Sequence, residues 1–216
     1  MARFALIAML IASAVFLAAG AEAKVVDEHI YLFPAGDADA RTVEAVKKCL
    51  PACLPMTVRV KVDRHETITE SAYAAPRRQY LAEMILGDIA QRINLDTGTE
   101  SALIITDVDL YSPDFDFVFG VADRSKFTGL ISLARLRNEY YGLRPDNTLF
   151  TERAVKEALH ELGHTWGLAH CKNPKCAMSF SNYIADIDKK RSGFCLACKR
   201  TLHNRYTVPI FKKRAK

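Results

Sequence analysis

The sequence predicts an α/β fold, a mixed and twisted sheet with helices packed on it. Three observations carry this. Short stretches with the period of strands recur between longer stretches with helical spacing, the order expected when helices cover a sheet. One of the short stretches, Ala102 to Ile105, is continuously apolar, as in a strand covered on both faces. Half of the 216 residues are apolar and a quarter are charged, with 10 Gly and 8 Pro. That balance excludes a disordered, collagen-like or low-complexity chain and is enough to bury a real core.

Val25 to Phe33 reads as the first strand, closed by Pro34-Ala35-Gly36. Asp39 to Leu50 has helical spacing through Ala40, Val43 and Val46. Thr57 to Val62 sets Val58, Val60 and Val62 against Arg59 and Lys61, the alternation of a half-buried strand. Pro76 to Ile93 reads as a helix with Pro in its first turn and Tyr80, Leu81, Met84, Ile85, Leu86 and Ile89 along one broad face. After the buried strand at 102–105, Phe115 to Val121 and Leu130 to Leu136 read as two more strands, and Thr151 to Trp166 as a helix. From Cys171 on the apolar runs shorten, four Cys appear across the region and basic charge accumulates. No repeat or low-complexity linker divides the chain. Residues 24–216 are therefore read as a single domain: a sheet-and-helix part over 24–170 and a small Cys-rich, basic C-terminal portion over 171–216.

Arg3, the uncharged run from Phe4 to Ala21 and the closing Ala21-Glu22-Ala23 make up an export signal over residues 1–23, cleaved after Ala23. An uncleaved anchor is the alternative, since eighteen uncharged residues just reach across a bilayer. The A-x-A site favours cleavage, hence an exported (periplasmic or secreted) chain with no stable membrane insertion. Ten Lys or Arg and no acid lie between Lys189 and Lys216, while Lys24 to Asp188 carries net −5. The protein is an acidic body with a basic tail, so its overall charge gives no reason to expect a nucleic-acid partner. From Arg205 on, including Lys212-Lys213-Arg214, the bland reading is a solvated terminus and the rival one a contact with an anionic surface.

The chemistry is concentrated in His160-Glu161-Leu162-Gly163-His164-Thr165-Trp166-Gly167-Leu168-Ala169-His170. On a helix with His160 at zero, His164 falls at about 40° and Glu161 at about 100°. Val155, Leu159, Leu162 and Trp166 fall at roughly 200–260°, an apolar stripe on the opposite side. Two imidazoles and a carboxylate on one face suit a catalytic zinc site, the His pair as ligands and Glu161 as base. Gly167 can take the left-handed conformation that ends the helix and lets His170 return as third ligand. Three protein ligands leave a position open for water, which points to metal-assisted peptide or amide hydrolysis with Glu161 as proton carrier.

The mature cysteines number six. Cys171 and Cys176, with Cys195 and Cys198, combine C-x₄-C and C-x₂-C, the spacing of a tetrahedral zinc site. Export pulls toward two disulfides instead, and both outcomes clamp the C-terminal portion near the histidines. Cys49 and Cys53, either side of Leu50-Pro51-Ala52, are expected to form a local disulfide, with free buried thiols as the alternative. Met178, eight residues past His170, lies where the imidazoles need an apolar floor. Tyr183 is within chain distance of the site, an ordinary core or surface tyrosine being its default role.

The eleven residues His160 to His170 followed by Met178 resemble the metzincin clan of zinc peptidases. Their continuation, Cys171-x₄-Cys176-x-Met178 and then Cys195-x₂-Cys198, is similar to the archaemetzincin (archaelysin) family. Val118-Phe119-Gly120-Val121-Ala122 and Ile131-Ser132-Leu133-Ala134-Arg135-Leu136 look like that family's sheet and edge-strand region. The resemblance spans most of Val25 to Cys198. It implies a metzincin-like zincin fold, His160, His164 and His170 on a catalytic zinc, Glu161 as general base and Met178 as the Met-turn residue. It also implies a structural zinc on Cys171, Cys176, Cys195 and Cys198, and a peptide or protein substrate. Two rivals remain at this point: an amidase or narrow aminopeptidase with the same zinc chemistry, and a non-catalytic zinc-binding module that contacts a partner or an anionic surface.

Overall fold

A computed structural model describes residues 28–96 and 99–207. In chain order its strands are β1 (Glu28–Ala35), β2 (Val58–Val62), β3 (Tyr73–Ala74), β4 (Gln79–Leu81), β5 (Glu100–Thr106), β6 (Leu110–Ser112), β7 (Phe115–Val118), β8 (Gly120–Asp123) and β9 (Thr128–Ser132). Its helices are α1 (Ala40–Cys53), α2 (Ala82–Arg92), α3 (Asn147–Thr165), α4 (Ile184–Lys189) and α5 (Leu196–Thr207).

The apolar run at 102–105 becomes β5, the middle of a five-stranded sheet ordered β2-β1-β5-β9-β8. The first four strands are parallel and β8 closes one edge antiparallel to β9, so the sheet is mixed as expected. Both faces of β5 are covered, and its residues alternate between two cores. Leu103 and Ile105, with Ile30, Leu32 and Ile131, pack on the side of α1 and α3. Ala102 and Ile104, with Phe33 and Leu130, pack on the side of α2. A second, four-stranded sheet, β3-β4-β6-β7, lies beside α2. Helix α1 is capped by Asp39, whose carboxylate accepts from Thr42 N at 3.1 Å, and α3 by Asp146, which accepts from Leu149 N at 2.9 Å.

Four elements differ from the sequence reading. β1 runs on through Pro34 to Ala35, because Pro34 lies past the last β1–β2 pair, Leu32 with Val62, where no ladder donor is lost. The helix expected from Pro76 starts only at Ala82: Arg78 is left-handed (φ 55°), and Gln79–Leu81 pair with β6 first. The strand expected over 115–121 is two strands in different sheets, with Phe119 as the crossing point. The strand expected over 130–136 ends at Ser132; Leu133 turns helical and Ala134–Leu136 is a 3₁₀ turn, drawn out by Arg135, which grips Asp109 through two bonds of 2.7 and 2.9 Å. The export segment over 1–23, residues 25–27 and the tail beyond Thr207 lie outside the described residues. Among the described residues no helix is long and apolar enough to cross a membrane.

The C-terminal portion is held to α3 by buried charge. Arg153 forks onto Asp188 at 2.7 and 2.8 Å and also donates to Leu136 O at 2.9 Å. Lys190, counted in the sequence with the basic tail, is in fact fully buried, its ammonium 3.0 Å from Glu157. The end of α3 is held to the sheet by Trp166, whose indole donates to Ser101 Oγ at 2.9 Å and to Glu28 Oε1 at 3.3 Å. Trp166→Phe keeps an aromatic ring, though a smaller one, and removes the only donor the side chain offers to those buried oxygens. A loss of about 1–3 kcal/mol is expected, read as a lower urea midpoint at unchanged slope.

Candidate active site

Helix α3 stops where the sequence places its stop. Gly167 is left-handed (φ 86°), its N–H bonds to His164 O at 2.9 Å, and Leu168 N–H bonds back to Gly163 O at 2.9 Å. This pair of bonds is a Schellman ending, which reverses the chain within one turn. The reversal carries His170 back over α3, and the three rings gather with centroids 4.6, 4.8 and 5.3 Å apart. One nitrogen from each of His160, His164 and His170 lies within 4.8 Å of the others, a set that could hold a metal ion.

Hydrogen bonds fix which nitrogen two of the three rings present. His160 Nδ1 is 2.8 Å from Ala177 O, and His164 Nδ1 is 2.8 Å from Leu168 O. A carbonyl only accepts, so both Nδ1 atoms carry the proton and both Nε2 atoms present lone pairs. Those two Nε2 atoms face each other at 3.1 Å. Two acceptors at that distance have no hydrogen to share, and a cation between them resolves the conflict. Burial holds all three imidazoles below their ordinary pKa, His160 furthest, with the Lys190 charge adding to the effect. Neutral rings are the form that ligates metal.

Glu161 lies on the same face of α3, fully covered, and burial pushes its carboxyl well above the usual range, with Glu157 adding and Lys190 opposing. Its shelter is made by two glycines that the sequence reading did not single out. A Cβ at Gly120 would sit 2.6 Å from Glu161 Oε1, and one at Gly129 would sit 3.0 Å from Glu161 Cβ. A glycine inside a strand pattern signals such close approach, and Gly120 stood inside a quoted strand segment. Met178 is fully buried beneath the helix, and any Cβ at Gly163 would collide with its Sδ. Phe180, also missed, lays its ring edge-on to His170 with centroids 4.9 Å apart.

The four C-terminal cysteines converge as well. Cys171 Sγ is 3.7 Å from Cys195 Sγ, and Cys176 Sγ is 3.8 Å from Cys198 Sγ, with all four sulfurs within 4.8 Å. A disulfide needs about 2.05 Å. The edge of a tetrahedron with zinc–sulfur bonds of about 2.3 Å is about 3.8 Å. Cys195 N–H approaches Cys176 Sγ at 3.3 Å and Asn173 N–H approaches Cys171 Sγ at 3.5 Å, donors placed for thiolates. Hydrogen bonding, led by the Cys198 backbone, lowers Cys195 to about 7, whereas burial raises Cys176 and Cys198. The cluster adjoins the histidines directly, since Cys171 follows His170 and its N–H bonds to Met178 O at 2.8 Å. The disulfide expected between Cys49 and Cys53 is not formed: both are free thiols on α1. Helical residues four apart keep their Cβ atoms about 5–6 Å apart, too far for the bridge.

His160, Glu161, His164 and His170 line a cleft of about 1040 Å³, bounded by β8, by the C-terminal end of α3 and by the loop from Phe180 to Tyr183. Phe115, Phe180 and Tyr183 are exposed aromatics along it, Tyr183 at its mouth with 70 % of its surface free.

A sequence model of peptidase family M54 matches residues 15–204. Archaemetzincin of Methanocaldococcus jannaschii is 39% identical over 178 residues, 82% of this chain and 94% of the relative. That of Pyrococcus horikoshii is 47% identical over 131 residues, 61% of this chain and 69% of the relative. Among solved structures, a zinc-dependent peptidase from Methanocorpusculum labreanum superposes with a TM-score of 0.72 at 31% identity, covering 80% of this chain and 99% of the other. Archaemetzincin from Methanopyrus kandleri gives 0.71 at 33%, covering 84% and 97%.

The contact between Gly163 and Met178 is tested by Gly163→Ala, which forces a methyl into the thioether. We expect about 1–3 kcal/mol of destabilisation in chemical denaturation, with a smaller loss when Met178 is shortened to Ala in the same chain.

Proposed function

The chain belongs to peptidase family M54, the archaemetzincins, and from that premise we propose that it is a zinc-dependent peptidase in which His160, His164 and His170 hold the catalytic ion and Glu161 is the general base. The observation that supports this best is the 3.1 Å approach of two Nε2 acceptors whose Nδ1 protons are both committed to carbonyls. His170 supplies the third nitrogen, and three protein ligands leave a coordination position open, as catalytic zinc sites do. An ion held there would supply Lewis acidity for the attacking water and for the substrate carbonyl. Glu161 takes the proton of the attacking water and passes it to the departing amine. Burial raises its affinity for a proton, the property a base needs. Gly120 and Gly129 leave it room to do so, and Met178 forms the apolar floor of a Met-turn. The free edge of β8 runs along the cleft, where an extended peptide can add as a further strand. A non-catalytic zinc module would have no use for a carboxylate cradled beside the imidazoles.

Cys171, Cys176, Cys195 and Cys198 fit a second, structural zinc, and their sulfur separations support it over two disulfides. Glu161→Gln is expected to slow peptide hydrolysis about 10²–10⁴-fold. Elemental analysis should still find two zinc ions per chain in that variant and in the wild type. Retained activity would overturn the role of Glu161, and one zinc per chain would overturn the Cys₄ assignment.

We also propose export through residues 1–23. The mass of the protein recovered outside the cytoplasm should begin at Lys24; an intact Met1 would refute cleavage.

A further inference from the structure

Among the described residues lining the cleft there are five carboxylates but only one arginine or lysine, Arg124. It lies in the turn between β8 and β9, at the end of the strand that flanks the site. The residue is exposed, yet its side chain lies against Gly167 on the border of the cleft. A Cβ on Gly167 would fall 2.9 Å from Arg124 Cζ and Nη2 and 3.1 Å from Nε, so the guanidinium rests flat on the bare glycine. Gly167 thus answers to two constraints, the left-handed turn and the seat for this cation.

Three of the five carboxylates are committed elsewhere. Asp123, the neighbour of Arg124, accepts from Ser125 N at 2.8 Å, Ser125 Oγ at 2.6 Å and Lys126 N at 3.2 Å, closing the turn on itself. Glu157 holds Lys190, and Glu161 is enclosed against Gly120. No acid among the described residues pairs with Arg124, which leaves an arginine fork, pre-shaped for a carboxylate, on the rim of the cleft against Gly167.

We propose that Arg124 is a specificity-determining residue that selects peptides presenting a carboxylate beside the C-terminal end of α3. This rests on the peptidase reading above. The carboxylate has two sources, an acidic side chain or the terminal carboxylate of a short peptide, according to the direction in which the chain lies along β8. A cation at a helix C-terminus also complements the helix dipole. That effect does not depend on the charge of the substrate, so substrate charge is the variable to test.

The experiment uses the zinc-loaded protein and alanine-based octapeptides with a single Glu or Gln at successive positions, each made as free acid and as C-terminal amide. The wild type is expected to favour the carboxylate-bearing member by about fivefold in kcat/KM, the scale of one exposed ion pair. Preference within the Glu series identifies a side chain, and preference for acid over amide identifies the terminus. Arg124→Gln should bring the ratio to near one, Arg124→Lys should keep part of it, and added salt should shrink it. A ratio of one in the wild type, or one that survives Arg124→Gln, overturns the proposal. Anisotropy of the same peptides, fluorescein-labelled, on zinc-loaded Glu161→Gln protein with and without Arg124→Gln reads the selection apart from turnover. Hydrolysis without charge preference would defeat the role of Arg124 alone. Charge-selective binding with no hydrolysis of any peptide by the wild type would defeat the peptidase reading alone.

Discussion

The site is organised by two backbone carbonyls. Ala177 O and Leu168 O each accept a proton from an imidazole Nδ1, and by doing so they turn the Nε2 lone pairs of His160 and His164 toward one point. Each carbonyl belongs to a segment built for the purpose: Leu168 to the Schellman turn at the end of α3, Ala177 to the loop that runs under the helix to Met178. A ring free to rotate about its χ angles would lose entropy on meeting a metal, whereas rings already held in place lose little. The glycines serve the same end. Gly163 lets Met178 come up against the helix, Gly120 and Gly129 admit Glu161 to the sheet edge, and Gly167 turns the chain.

Much of this was legible in the sequence because it is local. The spacing of His160, Glu161 and His164 fixes their angular positions on any α-helix, and Gly167 marks the turn whatever surrounds it. The opposite stripe of Val155, Leu159, Leu162 and Trp166 is buried as the periodicity requires. Ala102–Ile105 likewise declared a strand covered on both faces. What the sequence left unread depends on pairing between distant segments. The 115–121 run has an unbroken strand composition, but the chain changes sheets at Phe119 because β7 pairs with β6 while β8 pairs with β9. The helical face from Tyr80 was overruled at its start by the left-handed turn at Arg78. Lys190 looked like surface charge, since nothing near it in the sequence reveals Glu157 as its partner.

The C-terminal portion is tied to the site at several points. Arg153 with Asp188 and Lys190 with Glu157 are anchored on α3, Glu157 one turn ahead of the histidines. Cys171 is bonded to its neighbour His170 through the chain and to Met178 through its backbone. Breaking a buried pair by removing one partner leaves an uncompensated charge, a cost well above that of losing a surface pair. Among the described residues the basic charge of this portion therefore divides into two kinds: Lys190, which locks it onto the helix, and residues such as Lys172, Lys175, Arg191, Lys199 and Arg200, which are exposed.

The crossing at Phe119 joins two otherwise separate pieces of architecture. β7 belongs to the small sheet beside α2, and one residue later the same chain becomes β8, the border of the groove. The small sheet is thus continuous with the border of the groove, and its own strand β7 lines the same cleft. Substitutions there can reshape the groove while His160, His164 and His170 stay untouched, so the two parts of the cleft are free to vary apart.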